Sequence, residues 1–247
     1  MPAPRLARGL AALDAAGNAR IRQLARLGRP VFCGGHRGHE VAFTFDDGPG
    51  PYTQLALRKL RQAHERATFF VVGFSMNNFP GYLPRELTVG SIGDHTYNHL
   101  DLPQLSPDQI TSQIELAKRQ IQRQSGQPVD LFRPPYGAID STVEAIARHL
   151  GVLAVLWTAD SRDSLGADYT GIIKNVRAAL HPGAIILMHE NRGQTIRALT
   201  TLLPLLHRRH LRSVSLPELM ATDPPSVAQV TRGSAGCAYR GGGAGSE

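Results

Sequence analysis

Short apolar runs that alternate with helix-like segments constrain the fold of this chain more than any other feature. Continuous apolar runs of four to six residues are typical of strands buried in a parallel sheet. Strands that alternate with helices build β/α architectures, in which functional residues follow the carboxyl ends of the strands. The pattern therefore predicts a barrel or an open parallel sheet. Six such runs are present, at residues 41–45, 67–72, 129–132, 152–157, 184–188 and 213–216.

The segments between these runs predict helices. Ser106 is a typical N-cap, with Gln109 as its capping-box partner ahead of an amphipathic stretch. A second helix is predicted to begin at Ser141, and a third covers residues 195–210, where a proline is expected to kink it. Residues 73–94 are less regular than the helix expected between two strands.

Composition argues for one globular domain with extensions. The chain has 247 residues, of which 42% are hydrophobic, and this suits one sizeable core. No run approaches the roughly 20 apolar residues of a membrane-spanning helix, so we expect no transmembrane segment. We predict an arginine- and alanine-rich extension at residues 1–35, docked or frayed as a helix, a globular domain at 36–222, and a glycine-rich tail at 223–247.

The charge distribution argues against a nucleic-acid partner. The net charge of +7 first suggests a polyanion as a ligand. Residues 1–30, however, hold six arginines against one aspartate, a local charge of +5 that leaves +2 for the rest of the chain. The chain also lacks zinc-finger spacing and a Gly-Lys-Ser/Thr phosphate loop. We therefore expect no nucleic-acid binding.

Two cysteines, Cys33 and Cys237, lie near opposite ends of the chain. They form neither a clustered metal site nor a C-x-x-C pair, so a disulfide and two unpaired thiols both stay open. A disulfide would imply an oxidising compartment. Arg8, Asp14 and Arg20 interrupt any apolar stretch long enough for a secretory signal. Either the native start is missing from this chain, or the protein stays in the cytoplasm.

Acids and histidines occur where the first strands are predicted to end. Asp46 and Asp47 follow the first apolar run directly. An Asp-Gly-Pro sequence is ordinary turn chemistry, but two such acids can also divide cation binding and proton transfer between them. His95 and His99 are four residues apart and would share one face of a helical turn, a spacing typical of metal ligands. With one acid they would form a two-His, one-Asp site open to water and substrate.

Three later runs also end in reactive residues. Arg133 follows the third run, in a loop stiffened by consecutive prolines, and can hold a carboxylate by a bidentate hydrogen bond. Asp160 and Asp163 follow the fourth run, and His189 follows the fifth. A lone histidine is commonly a core residue, but here a carboxylate is available to orient it.

Together these residues resemble the five motifs of the polysaccharide deacetylases, the NodB-homology enzymes of carbohydrate esterase family four. The likeness spans about residues 40–216, in the order that the family has. It implies a distorted (β/α)7-type barrel of the NodB-homology fold, with a single catalytic domain at residues 36–222. The motifs are Thr44-Phe45-Asp46-Asp47-Gly48-Pro49, His95-Thr96-x-x-His99, Arg133-Pro134-Pro135-Tyr136-Gly137, Asp160-x-x-Asp163 and Leu187-Met188-His189.

The resemblance assigns the metal site and the general base. The metal ligands it implies are Asp47, His95 and His99. Asp46 would take a proton from the attacking water, and Arg133 would position Asp46. Zinc is the expected ion, although two nitrogens and one oxygen also suit cobalt, nickel or manganese.

The resemblance also assigns the leaving-group side and the acetyl pocket. The backbone N–H of Tyr136 would hold the oxyanion, His189 would protonate the departing amine, and Asp160 would tune His189. Trp157 and Leu187 would line the pocket for the acetyl methyl, with Pro135 as a further substrate contact. Amide hydrolysis needs an activated water, an oxyanion site and an acid, and each has one candidate here.

These roles imply a metal-dependent hydrolase that removes N-acetyl groups from GlcNAc-containing glycans, either peptidoglycan or a chitin-type oligosaccharide. O-deacetylation of acetylated xylan is the nearest alternative. A non-catalytic carbohydrate-binding protein on the same scaffold is the other, and it predicts decay at Asp46 or His189, which are both intact. The sequence does not disclose an oligomeric state.

One motif departs from the family pattern. Ser164 stands where the family usually has a tryptophan after the second acid, so that wall of the groove is altered and the role of Asp163 is open. The lead-in at residues 27–35 resembles that of actinobacterial envelope deacetylases. This favours an extracytoplasmic protein.

Overall fold

Within residues 3–239, which the computed structural model describes, eight strands alternate with ten helices. The strands are β1 (Glu40–Gly48), β2 (Ala67–Val71), β3 (Gly90–Asp94), β4 (Leu131–Phe132), β5 (Leu153–Ala154), β6 (Ala159–Asp160), β7 (Ile185–His189) and β8 (Arg212–Ser213). The helices are α1 (Ala3–Ala25), α2 (Thr53–Ala63), α3 (Gly73–Asn78), α4 (Leu83–Glu86), α5 (Pro107–Ser125), α6 (Ser141–His149), α7 (Tyr169–Ala179), α8 (Gly193–Arg208), α9 (Leu216–Thr222) and α10 (Val227–Thr231).

The strands form one curved parallel sheet. Their order is β5-β4-β3-β2-β1-β7-β6, and β8 pairs with the start of β1. Each of the six apolar runs overlaps a strand, and helices cover the outside of the sheet. The predicted distorted β/α barrel in a single domain is confirmed. The carboxyl ends of its central strands therefore meet at one edge.

Two strands, β3 and β6, lie outside the predicted runs. Gly90 and Gly93 make β3 too small and polar to register as an apolar run. A Cβ atom at Gly90 would lie 2.0 Å from the carbonyl oxygen of Ala67, and one at Gly93 would lie 2.5 Å from the Phe70 ring. The close approach of β2 thus requires small residues in β3. The second missed strand, β6, has only two residues.

The helix signals agree with the structure. Ser106 caps α5 in a capping box with Gln109. Helix α6 begins at Ser141, and Asp140 accepts the capping hydrogen bond from the backbone. The third predicted helix corresponds to α8, with Pro204 inside it. The irregular segment 73–94 contains the short helices α3 and α4.

A segment near the start of the chain closes the gap between the two edges of the sheet. Val31 pairs with Val155 directly after β5, and Cys33 pairs with Ala184 directly before β7. Between them, the carbonyl oxygen of Phe32 accepts a hydrogen bond from the Thr158 hydroxyl at 2.9 Å. This segment, residues 31–33, therefore completes the barrel wall.

Helix α1 docks on the barrel. Ile21 and Leu24 are buried and join a core cluster with residues of β5 and α9. A Cβ atom at Gly17 would lie 1.8 Å from the Pro217 carbonyl oxygen, so the close packing of α1 on α9 requires glycine there. Among the described residues, no helix has the length and apolar character needed to cross a membrane.

A disulfide joins the segment between α1 and β1 to the end of the described chain. Cys33 and Cys237 are bonded, with their Cα atoms 5.8 Å apart, so the bridged alternative is the correct one. The bond holds α10 and a 3-10 turn at Gly233–Cys237 against the barrel. Residues 240–247 of the predicted tail lie outside the described residues.

Candidate active site

The strand register brings the proposed base and acid side by side. Asp46 and His189 are Cα partners on the adjacent parallel strands β1 and β7. Alternate residues of a strand face opposite sides, so Thr44 and Asp46 face the barrel interior while Phe43 and Phe45 face the surrounding helices.

Arg133 fixes the carboxylate of Asp46 from behind. Its Nη1 atom donates to Asp46 Oδ1 at 2.8 Å and to the Thr44 hydroxyl at 2.7 Å. Nε and Nη2 donate to the carbonyl oxygens of Val155 and Leu156 at 3.0 and 3.2 Å. The guanidinium is fully buried and lies 4.1 Å from the centre of the Phe70 ring. These contacts hold Asp46 in one orientation with its second oxygen toward the cavity side.

Asp47, His95 and His99 converge on one point. Asp47 Oδ1 lies 3.2 Å from His99 Nε2 and 3.7 Å from His95 Nε2. One ligand atom from each of the three residues lies within 4.8 Å of the other two. The side chains that the sequence predicts as metal ligands are therefore together in space.

The histidine pair does not lie on a helical turn, which corrects the expectation from its spacing. Residues 95–99 form a loop in which Thr96 and His99 have φ angles of 67° and 55°. Asp94 Oδ1 accepts a hydrogen bond from Thr96 N at 2.7 Å, and the Thr96 hydroxyl accepts one from His99 N at 3.1 Å. Left-handed backbone at these residues interrupts any helix, and the local hydrogen bonds hold it in place.

The three residues fit a divalent cation. Asp47 Oδ1 is buried and accepts no hydrogen bond from a described residue, as expected for an atom that would bind a metal. His95 Nδ1 lies 2.7 Å from the carbonyl oxygen of Arg133, which can only accept, so Nδ1 carries the proton and Nε2 keeps its lone pair. Burial lowers the pKa of His95 and favours this neutral form.

The charge state of Asp47 agrees with this fit. Burial alone would raise its pKa, but the imidazole of His99 at 3.2 Å and those of His95 and His189 nearby hold the pKa well below its usual range. Asp47 is therefore ionised at any pH at which the protein would work. Two imidazole nitrogens and one carboxylate oxygen form a donor set suited to zinc and to other divalent transition metals.

The residue that orients His189 is Asp163, and the prediction of Asp160 for this role is wrong. Asp163 Oδ1 lies 2.7 Å from His189 Nδ1, and Asp163 Oδ2 accepts hydrogen bonds from the backbone N–H of His189 and the hydroxyl of Thr195. Asp160 instead accepts a hydrogen bond from Arg162 N at 2.6 Å. Arg162 has a φ of 60°, and this turn returns the chain so that Asp163 meets His189.

Asp163 makes His189 basic. Burial lowers the pKa of His189, but the hydrogen bond and charge of Asp163, with the charges of Asp46 and Asp47, outweigh burial and raise the pKa to about 9. His189 is therefore protonated near neutral pH and can donate a proton from Nε2, the nitrogen that Asp163 leaves available.

A cavity of about 490 Å³ opens over these residues. Asp160 lines it, so this residue belongs to the rim although it does not contact His189. Pro135 is buried and does not line the cavity, and Arg133 lies behind Asp46. The lining residues are Asp46, Asp47, His95, His99, Tyr136, Gly137, Trp157, Asp160, Ser164, Leu165, Leu187, His189 and Arg192.

Tyr136 lines the cavity, and its backbone N–H is unpaired among the described residues. Its φ angle is 60°. The side chain is 70% exposed, and its ring lies 4.8 Å from that of His99. The N–H is therefore available to a substrate oxygen, as the oxyanion role requires.

Sequence reasoning missed the contributions of Thr44, Thr195 and Arg192. Thr44 lies inside the first motif, and its inward position two residues before Asp46 was the available signal. Thr195 and Arg192 follow His189 by six and three residues and belong to no recognised motif. Only the fold brings them to the site.

Comparisons with known proteins point to one family. The family model described as "Polysaccharide deacetylase" matches residues 34–155. A peptidoglycan-N-acetylglucosamine deacetylase of Bacillus cereus is 34% identical over 198 residues, which cover 78% of this chain and 72% of the relative. A chitooligosaccharide deacetylase of a Bradyrhizobium species is 35% identical over 196 residues, which cover 72% of this chain and 90% of the relative.

A solved structure has the same fold. It is the crystal structure of a peptidoglycan N-acetylglucosamine deacetylase in complex with an N-oxidanyl-benzamide. The two structures superpose with a TM-score of 0.74 at 34% sequence identity, and the match covers 77% of this chain and 92% of the other.

Proposed function

Because this chain belongs to the polysaccharide deacetylase family, we propose that it hydrolyses the N-acetyl groups of GlcNAc-containing glycans and releases acetate. Peptidoglycan is the first substrate to test, and a chitin-type oligosaccharide is the second, since relatives with both activities are similar over most of this chain. The observation that carries the proposal is the position of Asp46 beside His189, each held by its own charged partner, next to the Asp47, His95 and His99 cluster.

A divalent cation, with zinc as the proposed ion and cobalt, nickel or manganese as alternatives, would be held by Asp47, His95 and His99. When bound, the cation acts as a Lewis acid that would polarise the amide carbonyl and lower the pKa of the attacking water toward neutral pH. The orphaned oxygen of Asp47 and the fixed tautomer of His95 support this assignment.

Asp46 acts as the general base. Arg133 occupies Asp46 Oδ1, so the other oxygen takes the proton from the water that attacks the acetyl carbonyl carbon. The guanidinium also lies 2.8 Å from this buried carboxylate and compensates its charge.

After the water attacks, Tyr136 acts on the carbonyl oxygen and His189 acts on the amide nitrogen. The Tyr136 N–H donates to the carbonyl oxygen as it becomes negative, because this donor has no partner among the described residues. His189 Nε2 gives its proton to the amide nitrogen as the C–N bond breaks, so the amine leaves as a neutral group and the acetyl group leaves as acetate. Trp157 and Leu187 line the cavity and would contact the acetyl methyl.

Two alternatives have distinct consequences. Ester cleavage on acetylated xylan would use the same residues but would depend less on His189, since an alkoxide is a better leaving group than an amine anion. A carbohydrate-binding protein without activity would tolerate loss of the base or acid, whereas Asp46 and His189 here keep both their identities and their partners.

An extracytoplasmic location is part of the proposal. The Cys33–Cys237 disulfide is stable only under oxidising conditions, and peptidoglycan lies outside the cytoplasm. A mass measurement of the protein isolated from cells under alkylating conditions would test this. Disulfide-bonded cysteines would not be alkylated, whereas free thiols would gain the mass of the reagent.

The function is tested by acetate release from peptidoglycan, chitooligosaccharides and acetylated xylan. Protein stripped with a chelator is assayed before and after addition of zinc or cobalt, with Asp46→Asn as the matched control. We expect metal-dependent acetate from a GlcNAc-containing glycan, and a loss of about 100-fold or more in the Asp46→Asn variant with metal still bound. Metal-loaded protein that binds glycan but releases no acetate would contradict the proposal.

A further inference from the structure

Arg192 lines the cavity next to the proposed acid and has no charged partner among the described residues. It follows His189 by three residues, and its backbone N–H lies 3.4 Å from the His189 carbonyl oxygen. Its side chain is exposed and makes no ion pair or hydrogen bond with any residue of the described range 3–239. The guanidinium is therefore available to a ligand in the cavity.

The other charged side chains of the cavity are already engaged. Asp46 is paired with Arg133, Asp47 faces His95 and His99, and His189 is paired with Asp163. Asp160 accepts a hydrogen bond from the Arg162 backbone. A permanently charged group that lines a catalytic cavity without a partner favours a ligand of opposite charge.

The position of Arg192 indicates which part of the substrate it would meet. His189 protonates the nitrogen that leaves, so the sugar that bears this nitrogen lies against His189. Ser164 also lines the cavity with a small side chain, and its N–H donates to Asp163 Oδ1 at 2.8 Å, next to the acid pair. Groups attached to the neighbouring sugar would therefore extend past Ser164 toward Arg192.

We infer that Arg192 binds a carboxylate carried by the sugar next to the one that is deacetylated, and so makes the enzyme selective for an anionic glycan. The inference rests on the proposed function and names the substrate class of the same cavity. Arginine matches a carboxylate by two parallel hydrogen bonds. Chitin carries no carboxylate, whereas peptidoglycan offers two sources: the lactyl ether of a muramic acid without peptide, and the acidic groups of the stem peptide.

The test compares kcat/KM of the metal-loaded protein on four glycans of similar length. They are a neutral chitooligosaccharide, a peptide-free GlcNAc–muramic acid oligosaccharide, the same oligosaccharide with its carboxyl group converted to a methyl ester, and one that carries stem peptides. The variants are Arg192→Gln and Arg197→Gln. Arg197 lies in α8, which begins directly after Arg192, and its replacement removes the same charge, but Arg197 packs on Tyr169 outside the cavity.

We expect Arg192→Gln to lower the ratio of kcat/KM for the carboxylate glycan to that for the chitooligosaccharide by about 10-fold or more, the effect of losing a charge-assisted hydrogen bond. The methyl ester should behave as the neutral glycan does, and Arg197→Gln should keep the wild-type ratio. A reduced ratio only for the peptide-bearing glycan would identify the peptide as the source of the carboxylate.

Two failures can be told apart. An Arg192→Gln variant that keeps the wild-type ratio for every anionic glycan would overturn the role of Arg192, while acetate release by the wild-type protein would still support the deacetylase. Absence of acetate from all four glycans with the wild-type protein would overturn the proposed function itself.

Discussion

Asp163 Oδ1 lies 2.7 Å from His189 Nδ1, and this pair connects the turn after β6 to the end of β7. The carboxylate is nearly buried and also accepts hydrogen bonds from the His189 backbone and from Thr195, so it is fixed on three sides. Burial alone would raise the pKa of Asp163, but the hydrogen bonds from His189 and Thr195 outweigh burial and lower it. The ionised carboxylate keeps a proton of His189 on Nδ1. The pair therefore defines which nitrogen of His189 faces the substrate.

Replacing Asp163 by asparagine should impair the acid without removing it. Asp163→Asn takes away the charge that favours protonated His189, so we expect kcat to fall by about 100-fold. Asp160→Asn should have a much smaller effect, because Asp160 does not contact His189. The measurement is the rate of acetate release at saturating substrate. Equal losses in the two variants would contradict the assignment of Asp163.

The alkaline limb of the pH profile should report His189. Its pKa is raised to about 9, so the acid is protonated below this pH and loses its proton as the pH rises through it. We expect kcat to decline above about pH 9 in the wild-type protein, and the decline to begin at lower pH in Asp163→Asn. A pH series of kcat for both proteins checks this. An alkaline limb that does not move in the variant would exclude His189 as its source.

Removing one imidazole of the Asp47, His95 and His99 cluster should weaken metal binding. His99→Ala leaves one nitrogen and one oxygen ligand, so we expect metal affinity to fall by at least tenfold and activity to fall with it. His149→Ala is the control, since His149 is exposed at the end of α6 and belongs to no part of the cavity. Titration calorimetry with zinc and elemental analysis after dialysis measure both variants. Stoichiometric metal at unchanged affinity in His99→Ala would refute the ligand set.

Glu190, buried behind the site, should make the stability of the fold depend on pH. Burial, together with the charges of Asp46 and Asp47, raises the pKa of Glu190 from 4.5 to about 8. Between these values the folded chain holds a proton that the unfolded chain has lost, so the free energy of unfolding should fall as the pH rises from about 4.5 to about 8.

Glu190→Gln removes this titration while keeping the side-chain shape. We expect the variant to gain stability over the wild-type protein as the pH rises toward 8, with a flatter dependence on pH. Urea unfolding at pH 5.5, 7.0 and 8.5 measures the difference. Parallel curves for the two proteins would show that Glu190 titrates at an ordinary pH in the folded state.

Reduction of the disulfide should lower the stability of the whole barrel. The bond between Cys33 and Cys237 closes a loop with a sequence separation of 204, and such a closure stabilises a fold by up to about 5 kcal/mol in the chain-entropy model. We expect the free energy of unfolding in urea to fall when a reductant is present. The double variant Cys33→Ser, Cys237→Ser should match the reduced protein and should not respond to the reductant.

The barrel was predictable because its strands are buried on both faces. Apolar runs such as 41–45 and 184–188 need no partner information to be recognised. Strand β3 could not be recognised in this way. Its glycines are required by the close approach of β2, which only the folded chain shows. The disulfide is a similar case, because two cysteines 204 positions apart carry no sign of their distance in space.

The candidate site was likewise predictable only in part. Motif residues identified the acids and histidines that meet at the cavity, but spacing alone suggested a helical turn for His95 and His99, where left-handed φ angles produce a loop. The choice between Asp160 and Asp163 depends on the turn at Arg162, a tertiary detail. The sequence gives no sign that Arg192 belongs to the site, because only the folded chain places it at the cavity.

The pairing of Asp46 with His189 across β1 and β7 has a practical consequence for engineering. The interval between the backbones that carry these two proposed proton-transfer groups follows the lateral repeat of a sheet, about 4.8 Å, and not the shape of any surface turn. Rim residues such as Leu165 and Arg192 lie on turns outside that repeat. A library restricted to the rim would therefore leave the register of Asp46 and His189 unchanged, which makes this barrel a suitable parent for directed evolution of glycan selectivity.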